Sequence, residues 1–286
     1  MNYDKGCCMP IDDWVWLNEQ GIFEHPHLRQ YASPFPPKEL MHNVSGLSNE
    51  KDFASHGVHF FSALVEASPH NICEYKNILD FGCGCGRLAR MFKGHPYNVF
   101  GCDIDRRHIE WINRDLTFMK ATATSVHPPT PYHDSTFDMI VSISVFTHLN
   151  EESQNEFLSE LHRISSPDAY LFLTVHGEIA LKRALQEDSI REMLAVDSQL
   201  FKEAQKKFSH GKHAFILQQG HLTVSDTEKG GQKKGKIINE RFEYGITFIP
   251  EQYIRSHWSR WFEICDYRHG ALHSFQDIVV LSPKRK

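Results

Sequence analysis

The sequence is short of several features that would settle its class at once. Nowhere in its 286 residues does an apolar run approach the about 18 side chains that a membrane-spanning helix needs. Cysteines at 7, 8, 73, 83, 85, 102 and 265 never take the paired C-x-x-C spacing of a structural zinc site, so no metal is expected and the thiols are expected to be reduced. No long basic block appears and the formal charge is -5, which argues against a general nucleic-acid binder. The clusters at 229–236 and 284–286 read as solvated loop and tail. Met1-Asn2-Tyr3-Asp4-Lys5 lacks the basic-then-apolar order of a signal peptide, so a cytoplasmic protein away from the membrane is expected.

What is present is a hydrophobic fraction of 41%, enough for a large buried core, and an alternation of strand and helix patterns. Residues 77–90, Asn-Ile-Leu-Asp-Phe-Gly-Cys-Gly-Cys-Gly-Arg-Leu-Ala-Arg, read as strand, tight loop and helix. Glycines at alternate positions let the chain turn sharply out of a buried strand while its backbone approaches a ligand, and the helix behind them offers unpaired N–H groups. Strands are predicted at 78–81, 98–103, 116–120, 137–144 and 169–175, with helices at 51–67, 87–92, 106–114 and from Asn150 to a stop at Pro167. That alternation specifies a parallel sheet with helices on both faces.

After 176 the alternation stops. Residues 179–208 are amphipathic and helical in pattern, 214–217 with 222–224 read as a small hairpin, and 230–235 as a flexible glycine-rich tip. A helix at 250–258 and strands at 262–267 and 277–281 complete the chain. Residues 268–275 are too few for a parallel crossover, so the last two strands are predicted antiparallel. The organisation expected is an N-terminal arm over 1–70, a cofactor-binding core over 71–176, a capping insertion over 177–245 and completion of the core over 246–286.

Asp80-Phe81-Gly82-Cys83-Gly84-Cys85-Gly86 resembles the acidic glycine-rich first motif of the class I S-adenosylmethionine-dependent methyltransferases, and the resemblance spans roughly 70–175 and 245–282. The antiparallel last strand is similar to that family's. The resemblance implies an α/β fold, a seven-stranded, mostly parallel Rossmann-like sheet with an antiparallel last strand, and S-adenosylmethionine as cofactor. It places Asp80, Gly82, Cys83 and Gly84 around the cofactor, gives the ribose hydroxyls to Asp103 with Ile104 beside it, and sets Ser144 beneath the transferring methyl group. Where the family often has an acid for the adenine amino group, this chain offers Thr122. The segment after the fourth strand is not the Asn/Asp-Pro-Pro-Tyr of enzymes that methylate nucleobase amino groups.

Gly84-Cys85-Gly86-Arg87-Leu88-Ala89 also fits the relaxed dinucleotide fingerprint, so an NAD(P)-dependent oxidoreductase stays open on pattern alone. The acid ahead of the loop and the short final connection favour the methyltransferase. A catalytically silent scaffold on the same fold is a third reading.

Methyl transfer from a sulfonium needs aligned partners and, for a hydroxyl acceptor, a base with a pKa near neutrality. Histidines predicted at carboxyl ends of strands are the candidates: His148 and His176 for catalysis, and His273 for substrate contact. Aromatic residues of the arm, Trp14 and Tyr31 among them, are expected to line an organic substrate. The activity expected is methylation of a small molecule, at oxygen rather than at the nitrogen of a small amine, on a natural-product or sugar-like acceptor. A homodimer is compatible with the sequence.

Overall fold

The structure is a computed structural model that describes residues 2–219, 223–225, 228–229, 232–233, 236–237 and 242–284. Short helical pieces open the chain: 3-10 turns at Tyr3–Cys8 and Pro26–Tyr31, with α1 (Ile11–Trp16) and α2 (Ile22–Glu24) between them. A proline-bearing extended stretch leads to α3 (Lys38–Ser45), which Gly46 ends in the left-handed conformation at φ +69°. In α4 (Glu50–Ala67) the Asn49 side chain caps the first turn by accepting the Asp52 N–H at 2.8 Å, and Phe53, Val58, Phe61 and Leu64 are buried.

Then comes the expected alternation: β1 (Asn77–Phe81), β2 (Asn98–Asp103), α5 (Arg106–Asp115), β3 (Met119–Ala123), β4 (Phe137–Ser142), α6 (Glu151–Ile164) and β5 (Ser165–Val175). Three helices follow, α7 (Glu178–Gln186), α8 (Asp188–Leu194) and α9 (Ser198–Ser209). After them come β6 (Ala214–Gln219), β7 (Thr223–Ser225), β8 (Glu228–Lys229), β9 (Gln232–Lys233), β10 (Lys236–Ile237), β11 (Tyr244–Phe248), α10 (Glu251–His257), β12 (Phe262–Leu272) and β13 (Gln276–Pro283). The main sheet has seven strands in the order β12-β13-β5-β4-β1-β2-β3. Strand β1 pairs in parallel with β2 and β4, whereas β12 and β13 are antiparallel, as the short connection required. No helix among the described residues is long and apolar enough to cross a membrane.

The chain forms two units: Met1–Thr124 with Tyr132–Ser142 and Ser165–Phe172, and Ser125–Pro131 with Ile143–Ile164 and Leu173–Lys286. In the first, the helix expected at 87–92 closes only as a 3-10 turn, Ala89–Phe92. Its carbonyls are taken by the arm: Ser33 Oγ donates to Arg90 O at 2.8 Å, Trp14 Nε1 to Met91 O at 3.0 Å, and Cys7 N to Lys93 O at 2.8 Å. Strand β3 starts three residues later than expected. Leu116 still closes α5, and the Asn113 side chain bonds both the N–H and the C=O of Ala121, which fixes the edge register. Cys8 and Cys73 form a disulfide with Cα atoms 5.9 Å apart, correcting the expectation of reduced thiols throughout.

In the second unit, β6 pairs antiparallel with β11, and β7 with β10, so the strand at 214–217 is not joined to 222–224 as a hairpin. Leu222 and the glycines 230, 231 and 235 of the expected tip lie outside the described residues. Helices α7 and α9 bury Ala180, Leu181, Ala184, Phe201 and Ala204 against Ile216, Ile246 and Phe248, an apolar cluster separate from the parallel strands.

Trp14 is fully buried, and its indole N–H donates to the Met91 carbonyl. Trp14→Phe keeps most of the apolar volume and takes that donor away from a buried carbonyl, so a loss of about 1–3 kcal/mol is expected, measured by denaturant unfolding.

Candidate functional site

The glycine loop belongs to the first unit and hangs on the end of β2. Cys102 O accepts from Gly82 N at 2.8 Å and Cys83 N at 3.0 Å, and Asp103 Oδ2 accepts from Gly84 N at 2.8 Å. Gly82 and Gly84 have φ of +77° and +51°, a region where a side chain is strained, so glycine is required by the turn itself. A Cβ on Gly84 would also come within 2.8 Å of Val44 Cγ2, and Cys85 Sγ donates to Leu40 O at 3.5 Å. Thus α3, the arm's last helix before α4, lies on the loop.

Asp80, next to last in the loop's parent strand, is 2% exposed, and its Oδ2 has no hydrogen-bond partner among the described residues. Burial, followed by the nearby Asp103 carboxylate, raises its pKa to about 7, while Arg87 and the Ala89 N–H pull it back. A buried carboxyl with a free oxygen waits for a donor or a cation. Asp103 remains partly exposed; its Oδ1 accepts the Asp105 N–H at 2.8 Å and its Oδ2 the Gly84 N–H, which leaves lone pairs on both oxygens for hydroxyl donors. Ile104 is half-buried beside it.

Thr122 is opposite Cys102 in the β2–β3 register, and its side chain bonds Tyr132, whose hydroxyl also donates to Gly101 O at 3.0 Å. Cys83 and Cys85 are buried; burial pushes the first thiol well up and the second to about 12, so neither is a ready nucleophile. The loop and the strand ends beside it therefore offer an unpaired buried carboxyl oxygen and a partly exposed carboxylate, a pair suited to a ligand with an ammonium group and vicinal hydroxyls. Sequence reasoning missed His108. It is buried with its nitrogens 3.8 Å from Asp103 Oδ1 and 3.9 Å from Asp105 Oδ2, and its position three residues into α5 is the signal that would have found it.

The other candidates sit in the second unit. Ser144 is left-handed at φ +60°; its N–H donates to Thr174 Oγ1 at 2.8 Å and its hydroxyl accepts from Gln276 Nε2 at 2.9 Å. His148 Nδ1 is 2.8 Å from Gly245 O, and its ring stacks on Tyr244 with centroids 4.7 Å apart and planes 13° apart. A carbonyl partner makes Nδ1 the protonated nitrogen and leaves Nε2 with a lone pair. Burial lowers the pKa of this ring, so it is neutral at pH 7.

His176 is placed differently. It is 2% exposed between Phe248 and Phe275, bonded to the Thr247 backbone, and held down to about 3 by burial and by His148. His273 is exposed in the β12–β13 turn, where its carbonyl accepts from Arg183 Nη1 at 3.2 Å. In the first unit Tyr31 packs on Tyr3 with centroids 5.2 Å apart, and Trp14 is buried with its N–H spent on Met91. The structure thus brings Gly82, Cys83 and Gly84 of the loop beside Asp80 on β1 and Asp103 and Ile104 at the end of β2, with Thr122 on the neighbouring strand, and leaves Trp14 inside the arm. Tyr244, Gln276 and Tyr132 gain their roles only through long-range pairing, which no local pattern reports.

Residues 79–173 match the family model for a methyltransferase domain. An uncharacterized protein of Rickettsia prowazekii (strain Madrid E) is 23% identical over 190 residues, covering 63% of this chain and 73% of that protein. Among solved structures, the PH0226 protein of Pyrococcus horikoshii OT3 is similar with a TM-score of 0.55 at 14% identity, over 88% of this chain and 100% of that one. An S-adenosylmethionine-dependent methyltransferase of Clostridium acetobutylicum ATCC 824 is similar with a TM-score of 0.50 at 10% identity, over 82% and 93% of the two chains. At such identity the two structures speak for the fold. The matched segment begins inside β1 and ends inside β5, so the stretch that matches a methyltransferase domain holds the whole glycine loop with Asp80 and Asp103.

Proposed function

We propose that this chain methylates a hydroxyl group of a small organic molecule, a natural product or a sugar-like acceptor, with His148 as general base. The observation that carries this reading is the state of His148: its Nδ1 is tied to the Gly245 carbonyl, its plane is fixed on Tyr244, and Nε2 has no partner among the described residues. S-adenosylmethionine supplies an electrophilic methyl group on a sulfonium. Asp80 would take its ammonium, the Gly82–Gly84 backbone its methionyl portion, and Asp103 its ribose hydroxyls. His148 Nε2 takes the proton of the acceptor hydroxyl as the oxygen gains the methyl, and the buried ring stays neutral until then. His176 backs this region as a neutral apolar ring, while Tyr31 and His273 are left as substrate contacts. A cytoplasmic enzyme, free or as a homodimer, fits the reading.

Three outcomes test it. S-adenosylhomocysteine should raise the melting temperature by several degrees, and Asp103→Ala should remove the shift; stabilisation by NADH alone would favour an oxidoreductase. His148→Gln should lower kcat by roughly 10²- to 10⁴-fold while the S-adenosylhomocysteine shift persists. An unchanged kcat would remove His148 as base, and cofactor binding without turnover across a broad acceptor screen would favour a silent scaffold.

The third outcome is a pH effect at Asp80. A raised folded pKa for an acid means that its contribution to stability is present below about 4 and is lost as pH rises through about 7. Asp80→Asn should therefore melt higher than the wild type at pH 8 in the absence of cofactor, with the advantage shrinking towards pH 4, and should bind S-adenosylmethionine more weakly at pH 8. A lower melting temperature for the variant at pH 8 would show that the charged carboxylate is already compensated.

A further inference from the structure

We propose that, in the reduced protein, Cys7, Cys8 and Cys73 form a thiolate site for a soft divalent cation, zinc being the natural one, and that the Cys8–Cys73 disulfide is the oxidised, metal-free state of that site. The ligating sulfurs of all three residues lie within 4.8 Å of one another. Thiolates on one tetrahedral zinc ion, each about 2.3 Å from it, lie about 3.8 Å apart, so sulfurs already within 4.8 Å need shifts of about 1 Å to ligate it. Opening the Cys8–Cys73 bond lets those two sulfurs separate, and their Cα atoms, 5.9 Å apart, allow either arrangement.

The backbone under the sulfurs is pinned. Cys7 N donates to Lys93 O at 2.8 Å, and Cys73 N donates to the Asn71 side chain at 2.9 Å. Gly6 approaches the chain at 93–94 so closely that a Cβ on it would lie 1.9 Å from Lys93 O. The site is thus held by contacts that do not depend on the disulfide.

Cys7 is the residue a disulfide does not explain. It is buried beside the pair, and its thiol makes one long contact, 3.7 Å to Phe92 O. A cation held by the neighbouring sulfurs would therefore meet Cys7 Sγ within the same 4.8 Å group. A dithiol or phosphine reductant supplies the two electrons and, with solvent, the two protons that convert the disulfide to thiols. Binding of the cation then releases three protons from the three sulfurs. Three protein ligands leave one coordination position for water, so the site would be open and exchangeable. Either state ties the first 3-10 turn to Ile72–Glu74, ahead of β1.

Cadmium is a direct probe. The full chain, reduced with a phosphine and titrated with Cd²⁺, should develop thiolate-to-metal ultraviolet absorption that saturates at one ion per chain and should melt at a higher temperature, whereas the oxidised chain should not respond. Cys7→Ser should weaken binding by at least tenfold, and Cys7→Ser/Cys8→Ser/Cys73→Ser should abolish it. Cys7→Ser retains the cysteines of the disulfide, so a two-hydrogen mass change on reduction reports that it has folded. No absorption in the reduced chain would overturn the proposal. So would undiminished binding by Cys7→Ser, or binding by the triple variant, which would place the metal at Cys83, Cys85, Cys102 or Cys265.

Discussion

The three hydrogen bonds that hang residues 82–84 on the end of β2 are the constraint from which the rest of the cofactor loop follows. They use the Cys102 carbonyl and one oxygen of Asp103, so on the proposed reading the residue that takes the ribose hydroxyls is also the one that sets the loop. Asp103 is held before any ligand arrives, by Gly84 N on one oxygen and Asp105 N on the other. A carboxylate fixed by backbone donors loses little further side-chain entropy on binding, and its orientation is preorganised. Asp80 is the counterpart: it is buried, partly unsatisfied and raised in pKa by desolvation and by the nearness of Asp103. On the proposed reading, an ammonium brought to Asp80 offsets both the desolvation and the repulsion.

The arm reinforces the same loop from the opposite side. The carbonyls of Arg90, Met91 and Lys93, immediately beyond the loop, accept from Ser33, Trp14 and Cys7. Arg90 itself is fully buried, donates to Ser33 O at 2.7 Å and stacks on Phe35 with its guanidinium carbon 3.9 Å from the ring centroid. A buried guanidinium is tolerated at this position by a carbonyl and an aromatic face, with its pKa lowered to about 9 by desolvation. The arm is therefore part of the first unit's core, and Val44 on Gly84 extends it to the loop.

How much of this was legible depends on the range of the interaction. Residues 77–86 were readable because strand, acid and alternating glycines are a local requirement of a sharp turn beside a ligand. The antiparallel end was readable because chain length between 268 and 275 forbids a crossover. The helix at 87–92 was not: its own residues favour helix, and the contacts that close it as a 3-10 turn come from 7, 14 and 33. The start of β3 was missed because Asn113, on α5, fixes Ala121. The Cys8–Cys73 link joins residues 65 apart in sequence, and no spacing rule covers it.

The two histidines show the same limit at the chemical level. Both follow predicted strands, and composition gives no reason to prefer either. Burial pushes both towards the neutral form, so neutrality does not separate them either. Their partners do. His176 is bonded to the Thr247 backbone, but it is 2% exposed and its Nδ1 has no partner among the described residues, so a proton taken there would have no acceptor beside it. His148 has a carbonyl on Nδ1 to stabilise the imidazolium that forms when Nε2 accepts a proton, and the face of Tyr244 lies against the ring. On the proposed reading a base needs a charged state that its surroundings can bear, and His148, less buried and paired at Nδ1, fits that role better than His176.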